Sequence, residues 1–211
     1  VRLEACRALS RYVFKPEEKF VGGSKHLIKV FENLFCFEGS SIPKSSNFED
    51  IREYLVQKRI VECLGDVRNE HDEVPNYIKS FVLNLLKYND NSGNFFLDHN
   101  YIREMIKSVV TCCTHDIEDK TYHAAALEQL NRYENLDKWT ESYDFSISRE
   151  IVRQKTNLMV RGIYEFPELN DTLGECLDLL DKNDYRIFRE REGVEDLTLE
   201  CFRSLLISGG I

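Results

Sequence analysis

The stretch Ile102-Arg103-Glu104-Met105-Ile106-Lys107-Ser108-Val109-Val110-Thr111-Cys112-Cys113 decides the fold class. Its apolar residues Ile102, Met105, Ile106, Val109, Val110 and Cys113 recur at the three-and-four spacing that lines one side of an α-helix. The same period extends outward in both directions. Ile78, Phe81, Val82, Leu85 and Leu86 form a stripe, with Pro75 at a first-turn position where its missing N–H costs nothing. Leu27, Ile28, Phe31, Leu34 and Phe35 form another, with Ser24 after Gly22-Gly23 as the expected N-cap. Val1, Ala5, Ala8, Leu9, Tyr12 and Val13 mark a stripe at the start, and Leu169, Leu173, Cys176, Leu177 and Leu180 one further on.

Other segments carry the period less cleanly. A helix expected to be capped at Asn47 has an apolar face at Ile51 and Leu55 that shifts phase to Val56, Ile60, Cys63, Leu64 and Val67. Either a kink near Lys58-Arg59 or burial on two sides, as in a layered array, accounts for that shift. Tyr122, Ala126, Leu127, Leu130 and Tyr133 mark a short helix, and Ile147, Ile151 and Leu158 one that Gly162 ends. Leu199, Phe202, Leu205 and Leu206 mark the last. No stretch alternates strictly, so no strand is expected and the class is all-α. Leu3-Glu4-Ala5-Cys6-Arg7-Ala8-Leu9 aligns with Leu199-Glu200-Cys201-Phe202-Arg203-Ser204-Leu205, which favours an α-solenoid of stacked helical hairpins over a closed bundle.

Composition agrees. Of 211 residues, 42% are hydrophobic and 31% charged, enough for a packed core and unlike a disordered chain. Four Pro and ten Gly are few for an all-β protein, and no apolar run approaches the ~18 residues needed to span a bilayer. The net charge of −9 disfavours a free-standing nucleic-acid binder, although local basic patches survive on acidic chains. Cys6, Cys36, Cys63, Cys112, Cys113, Cys176 and Cys201 mostly fall where a helix places an apolar residue, so they read as buried thiols of a reducing compartment. The triplet Asn170-Asp171-Thr172 is then a chance sequon. With Val1 first and no leader pattern, a piece of a longer protein is expected.

No motif of a hydrolase, phosphate loop or thiol redox centre is present, so no catalytic residue and no cofactor are assigned. Cys112, Cys113, His115 and His123 are the one candidate metal cluster. Adjacent helical cysteines diverge by about 100°, and Asp116, Glu118 and Asp119 suggest a solvated loop, so no metal site is assigned. Arg149 and Arg153 lie one turn apart, opposite Ile147, Ile151 and Leu158; they are the candidate partner-binding residues, with a solvated helix face as the plainer alternative. Asp178, Asp181, Asp184 and the run Glu190 to Asp196 are expected to be solvated. Lys87-Tyr88-Asn89-Asp90-Asn91-Ser92-Gly93-Asn94 has the amides of a compact helix-ending turn rather than the alternating carboxylates of a calcium loop. Phe95 and Phe96 would anchor that turn and Asp98 would cap the next helix.

That turn also carries a family resemblance. Leu85-Leu86-Lys87-Tyr88-Asn89-Asp90-Asn91-Ser92, followed by Asn94, an aromatic, Asp98 and Tyr101, resembles a signature of the second TATA-binding-protein-associated subunits of the general transcription factor TFIID. Gly23 with His26-Leu27-Ile28-Lys29, Ile42-Pro43-Lys44, Asn47-Phe48, Tyr54-Leu55, Gln57-Lys58, Asp66-Val67-Arg68 and Val74-Pro75 resemble the family in the same order. Asn131-Arg132-Tyr133 and Glu195 to Leu206 do so more weakly, whereas Cys112-Cys113 and Asp184 to Asp196 depart from it.

The resemblance implies that residues 1–211 are a single segment of an array of HEAT-like helical hairpins, downstream of domains similar to M1 zinc aminopeptidases. It also implies a nuclear, non-enzymatic scaffold in RNA polymerase II preinitiation complex assembly. The implied partners are other TFIID subunits, including the tail of a histone-fold subunit, with promoter DNA reached through the larger protein; no membrane or small-molecule substrate is implied. The alternatives are the C-terminal helical domain of an active M1 aminopeptidase and a generic adaptor solenoid.

Overall fold

A computed structural model of the chain describes residues 1–10, 22–69, 72–94, 98–140, 145–181 and 191–208. Among these the chain forms nine α-helices: α1 (Arg2–Ser10), α2 (Gly23–Phe35), α3 (Ile51–Gly65), α4 (Asn76–Tyr88), α5 (His99–Thr114), α6 (Lys120–Thr140), α7 (Ser146–Val160), α8 (Leu169–Asp181) and α9 (Arg191–Ser208). The only β feature among the described residues is an isolated antiparallel bridge between Cys36 and Pro43. The all-α class and its stacked-hairpin arrangement follow. The chain divides into two compact units, residues 1–122 and 123–211.

In the first unit the helices form two layers. α1, α3 and α5 pack side by side, with α3 between its two neighbours. α2 and α4 form the second layer. Their N-terminal ends meet where the Ser24 and Tyr77 hydroxyls share a 2.7 Å hydrogen bond, and Phe31 meets Phe81 edge-on further along. The two helices therefore run parallel, as equivalent members of successive hairpins do. Being packed from several sides explains the phase shift in α3: Gln57, Ile60, Val61, Cys63, Leu64 and Gly65 are buried, while Ile51 and Leu55 in its first turns are exposed. The α3–α5 crossing is close because Gly65 faces Ser108, whose hydroxyl donates to the Val61 carbonyl; an added Cβ at Gly65 would lie 3.0 Å from Ser108.

Helix boundaries follow local chemistry, with small corrections. α3 is capped by Asp50, which accepts from the Arg52 and Glu53 N–H groups, not by Asn47, whose amide accepts from Glu49. Gly22 rather than Ser24 precedes α2, and Pro75 is the cap of α4 rather than its first helical residue. Gly22 leaves Gly23 free to open the helix where a Cβ would overlap the Leu9 carbonyl oxygen. Asp98 does cap α5, and Gly162 takes a left-handed φ of 70° just after α7.

Two expected stripes are displaced. In α1 the buried residue is Cys6, while Ala5 and Ala8, and Val1 just before the helix, are exposed; Tyr12 and Val13 lie outside the described residues. In α9 the core side is Val194, Leu197, Thr198, Cys201 and Ser204, and Leu199, Phe202 and Leu206 are exposed. The matched ends of the chain therefore share letters but not faces: Cys6 aligns with exposed Phe202, one position from buried Cys201. α6 is also longer than its apolar period suggests, because it continues past Tyr133 as a polar helix to Thr140.

The second unit packs α9 against both α7 and α8 around Val152, Phe166, Leu169, Cys176, Val194, Leu197 and Cys201. α6 joins α7 where the Asp137 carboxylate accepts from the N–H and hydroxyl of Ser148, the latter at 2.5 Å.

The turn before α5 is welded to the one before α3. Asn91 accepts from the Ser46 N–H, Asn94 donates to the Ser46 carbonyl at 2.8 Å, and Ser45 donates to the Asp90 carbonyl. At its centre the buried Asp98 carboxylate accepts from the Ser46 hydroxyl, the Tyr54 hydroxyl at 2.8 Å and the Tyr101 N–H. Burial and the hydrogen bond to Asp98 push the Tyr54 phenol well above its ordinary value. Phe95 and Phe96 lie outside the described residues. Asp98→Asn removes acceptor capacity from a buried site and is expected to cost about 2–3 kcal/mol in urea unfolding, with Tyr54→Phe costing about 1.

Candidate partner-binding surfaces

Arg149 and Arg153 emerge from α7 toward α9. Arg149 pairs with Asp196. Arg153 forks onto Glu200, with Nη2 2.8 Å and Nε 3.2 Å from its two carboxylate oxygens, and its Nη1 lies 3.4 Å from Glu150. The Glu150 side chain is fully buried and also accepts from Gln154 at 2.7 Å. The hydrogen bonds to Glu200 raise the Arg153 pKa against the opposing effect of burial. These two arginines thus bind carboxylates of their own chain, forming a charged seam between α7 and α9. The sequence offered a signal for it: Arg149/Arg153 and Asp196/Glu200 are both spaced by four.

Two buried lysines escape sequence reasoning because neither belongs to a motif. Lys155, whose side chain is 1% exposed, meets Glu134 at 2.7 Å and lies over the Phe166 ring at 5.1 Å. Lys79 reaches out of α4 to Asp116 and Asp119, at 2.5 and 2.7 Å, and lies over the ring of Tyr122. Burial lowers the Lys79 pKa, but the two carboxylates together more than reverse this and leave it raised.

The cysteine–histidine cluster does not assemble. Cys112 and Cys113 are buried on α5, His115 approaches Asp72 at 3.8 Å, and no three metal-capable groups converge among the described residues. Burial pushes the Cys112 thiol up to about 11 and the Cys113 thiol higher. All seven cysteines are buried and free of disulfides. Cys176 and Cys201 share a hydrogen bond across the α8–α9 contact, which lowers the former and raises the latter. Of the acidic residues expected to be solvated, Asp178 is exposed and Asp196 holds Arg149; Asp184 and Glu190 lie outside the described residues.

What the structure leaves open is surface. A groove of about 160 Å³ lies between Leu34, Phe35 and Lys44 on one side and Glu53, Tyr54 and Gln57 on the other. On α6, Trp139 is 87% exposed with Leu136 one turn before it. No described helix is long and apolar enough to cross a membrane.

Stacked helical hairpins, several of them tied by ion pairs within the chain, define a helical-repeat protein. The chain belongs to the family described as TAF2-like, TPR repeats, which matches residues 1–162. It is 39% identical to transcription initiation factor TFIID subunit 2 of Saccharomyces cerevisiae over 212 residues, covering 100% of this chain and 15% of that protein. The same subunit of Schizosaccharomyces pombe is 32% identical over 79% of this chain and 15% of its own length, and that of Danio rerio 28% over 77% and 14%. The chain thus spans about one seventh of the length of these relatives.

Two outcomes follow from the ionic groups. Arg153→Ala leaves Glu150 and Glu200 under-compensated and is expected to cost about 1–2 kcal/mol in urea unfolding, discounted because the arginine is half-exposed; the cost shrinks in high salt. A lysine whose folded pKa is raised stabilises fully below its unfolded value, near 10.4, and loses that stabilisation as pH rises through the folded value. The difference in melting temperature between the native chain and Lys79→Met is therefore expected to be constant from neutral pH to about pH 10 and to narrow above it.

Proposed function

We propose that this chain is part of a non-enzymatic scaffold subunit of TFIID that holds other subunits of the complex and supports promoter recognition in RNA polymerase II preinitiation complex assembly. Likeness over the whole chain to a protein named TFIID subunit 2, and over most of it to others of that name, supports the assignment. The observation that carries the scaffold role is the disposition of charge: Lys79, Lys155, Arg149 and Arg153 are each bound to carboxylates of the same chain. Groups so engaged hold helices in register and are not poised for proton transfer or nucleophilic attack. In this proposal residues 1–211 form one segment of the repeat array, and the protein acts in the nucleus.

Partners are then bound on helix faces and grooves, with tails of other subunits, including that of a histone-fold subunit, as extended occupants. Trp139 is of the residue type that dominates binding energy at interfaces, and its exposure is of no use to the fold. Arg149 and Arg153 would contribute only by exchanging Asp196 and Glu200 for a partner's carboxylate.

Affinity purification of the full-length protein tests the proposal. Co-purification of the other TFIID subunits and no hydrolysis of aminoacyl substrates are expected. Purification without any of them, or peptidase activity, overturns it. Leu136→Ala/Trp139→Ala is expected to leave the melting temperature unchanged and to lower recovery of at least one subunit.

A further inference from the structure

Two of the seven buried thiols meet. Cys176 continues the α8 stripe of Leu169 and Leu173, and Cys201 continues the α9 stripe of Val194 and Leu197. These stripes pack on each other in one apolar cluster, which brings the two sulfurs within hydrogen-bond reach across the α8–α9 contact. The other five cysteines are placed differently. Cys112 and Cys113 are neighbours on α5 and diverge by about 100°. Cys6 and Cys63 lie on α1 and α3, and Cys36 follows α2. Burial raises all five thiols, Cys36 and Cys112 to about 11. Cys176 is the one cysteine of the seven whose pKa is lowered. Its hydrogen bond from Cys201 outweighs burial, and the Lys138 ammonium adds to the effect while Glu175, paired with Lys138 at 3.3 Å, opposes it.

We propose that Cys176 and Cys201 are a modification site, a reversible disulfide made by hydrogen peroxide and undone by a dithiol, which staples α8 to α9. Cys176 is the attacking thiolate. Its sulfur attacks one peroxide oxygen: an S–O bond forms, the O–O bond breaks, and the departing hydroxide takes up the proton that Cys176 has released, leaving as water. Cys176 is then a neutral sulfenic acid. The hydrogen bond to its thiolate, which holds the Cys201 thiol far above its ordinary range, is thereby lost. The Cys201 sulfur next attacks that of Cys176: the S–S bond forms, the S–O bond breaks, and hydroxide leaves with the Cys201 proton as a second water. Two thiols and one peroxide so yield one disulfide and two waters, the sulfurs losing the two electrons that the peroxide gains. A dithiol returns both electrons by two successive thiol–disulfide exchanges. Burial selects the oxidant. Cys176 is 3% exposed and Cys201 0%, so a molecule of water's size needs only a small opening, whereas a bulky disulfide needs the helices to part.

The staple is independent of the scaffold role proposed above. It is tested on the full-length native protein by treatment with hydrogen peroxide at neutral pH, alkylation of the remaining thiols, digestion and mass spectrometry. A linked peptide pair containing Cys176 and Cys201 is expected, reversed by dithiothreitol, while Cys6, Cys36, Cys63, Cys112 and Cys113 react about tenfold or more slowly. Amide exchange in α8 and α9 is expected to slow severalfold in the oxidised protein and to recover on reduction. Cys201→Ala is expected to stop the chemistry halfway, leaving Cys176 as a sulfenic acid that dimedone labels, and Cys176→Ala to leave Cys201 unreactive. Four results overturn the proposal: no oxidation of Cys176, its oxidation without pairing in the native protein, a linkage such as Cys6–Cys63 forming first, or unchanged exchange in the linked form. Each is read on the native protein, so a variant that fails to fold does not blunt the test.

Discussion

The Asp98 carboxylate is the fixed point of the first unit. A buried carboxylate is costly unless its oxygens are filled with donors. Here three donors come from three segments: Ser46 from the turn before α3, Tyr54 from α3 and Tyr101 from α5. One side chain thereby caps a helix, ties two turns together and sets how far α5 slides along α3. The Gly65–Ser108 approach, lower in the same crossing, needs that setting, since a small shift would bring larger side chains into the gap. Packing fills the space; the carboxylate defines the register.

Charge plays the matching role in the second unit. The α7–α9 seam places Arg149 against Asp196 and Arg153 against Glu200, each step one helical turn, and Lys155 closes onto Glu134 from the other side of α7. A hydrophobic interface built from Val152, Leu197 and Cys201 tolerates sliding; a ladder of paired charges does not. In an extended array of hairpins, such register devices are what keep an exposed face in a reproducible shape for a partner.

Much of this was legible in the sequence where one side of a helix is apolar and the other is not. α4 and α5 satisfy that condition, and their stripes match the buried residues save half-buried Ile102. α9 does not. Its core side is built from Thr198, Cys201 and Ser204 as well as Val194 and Leu197, whereas Leu199, Phe202 and Leu206 face outward, so hydrophobicity pointed to the wrong side. α1 fails for a related reason, since alanines at Ala5 and Ala8 fit either environment. Among candidate sites, Arg149 and Arg153 were visible as a pair; their partners lie 47 positions away, and the matching spacing of Asp196 and Glu200 identifies them only once α7 and α9 are known to pack together. The Asp98 hub was half legible: the cap followed from its position before α5, whereas the donors from Ser46 and Tyr54 depend on which turns meet. The scarcity of carboxylates on α2 and α4, where Glu32 is the single one, was masked by the acidic average of the whole chain.

The buried thiols give the protein a built-in gauge of its own breathing. They sit on α1, at the end of α2, and on α3, α5, α8 and α9, so six of the nine described helices carry or adjoin one. A reagent that alkylates thiolates can reach such a group only when its helix lifts away. The order in which the seven are modified would then rank the helices by how readily each detaches, and a bound partner would announce the faces it clamps by slowing particular cysteines.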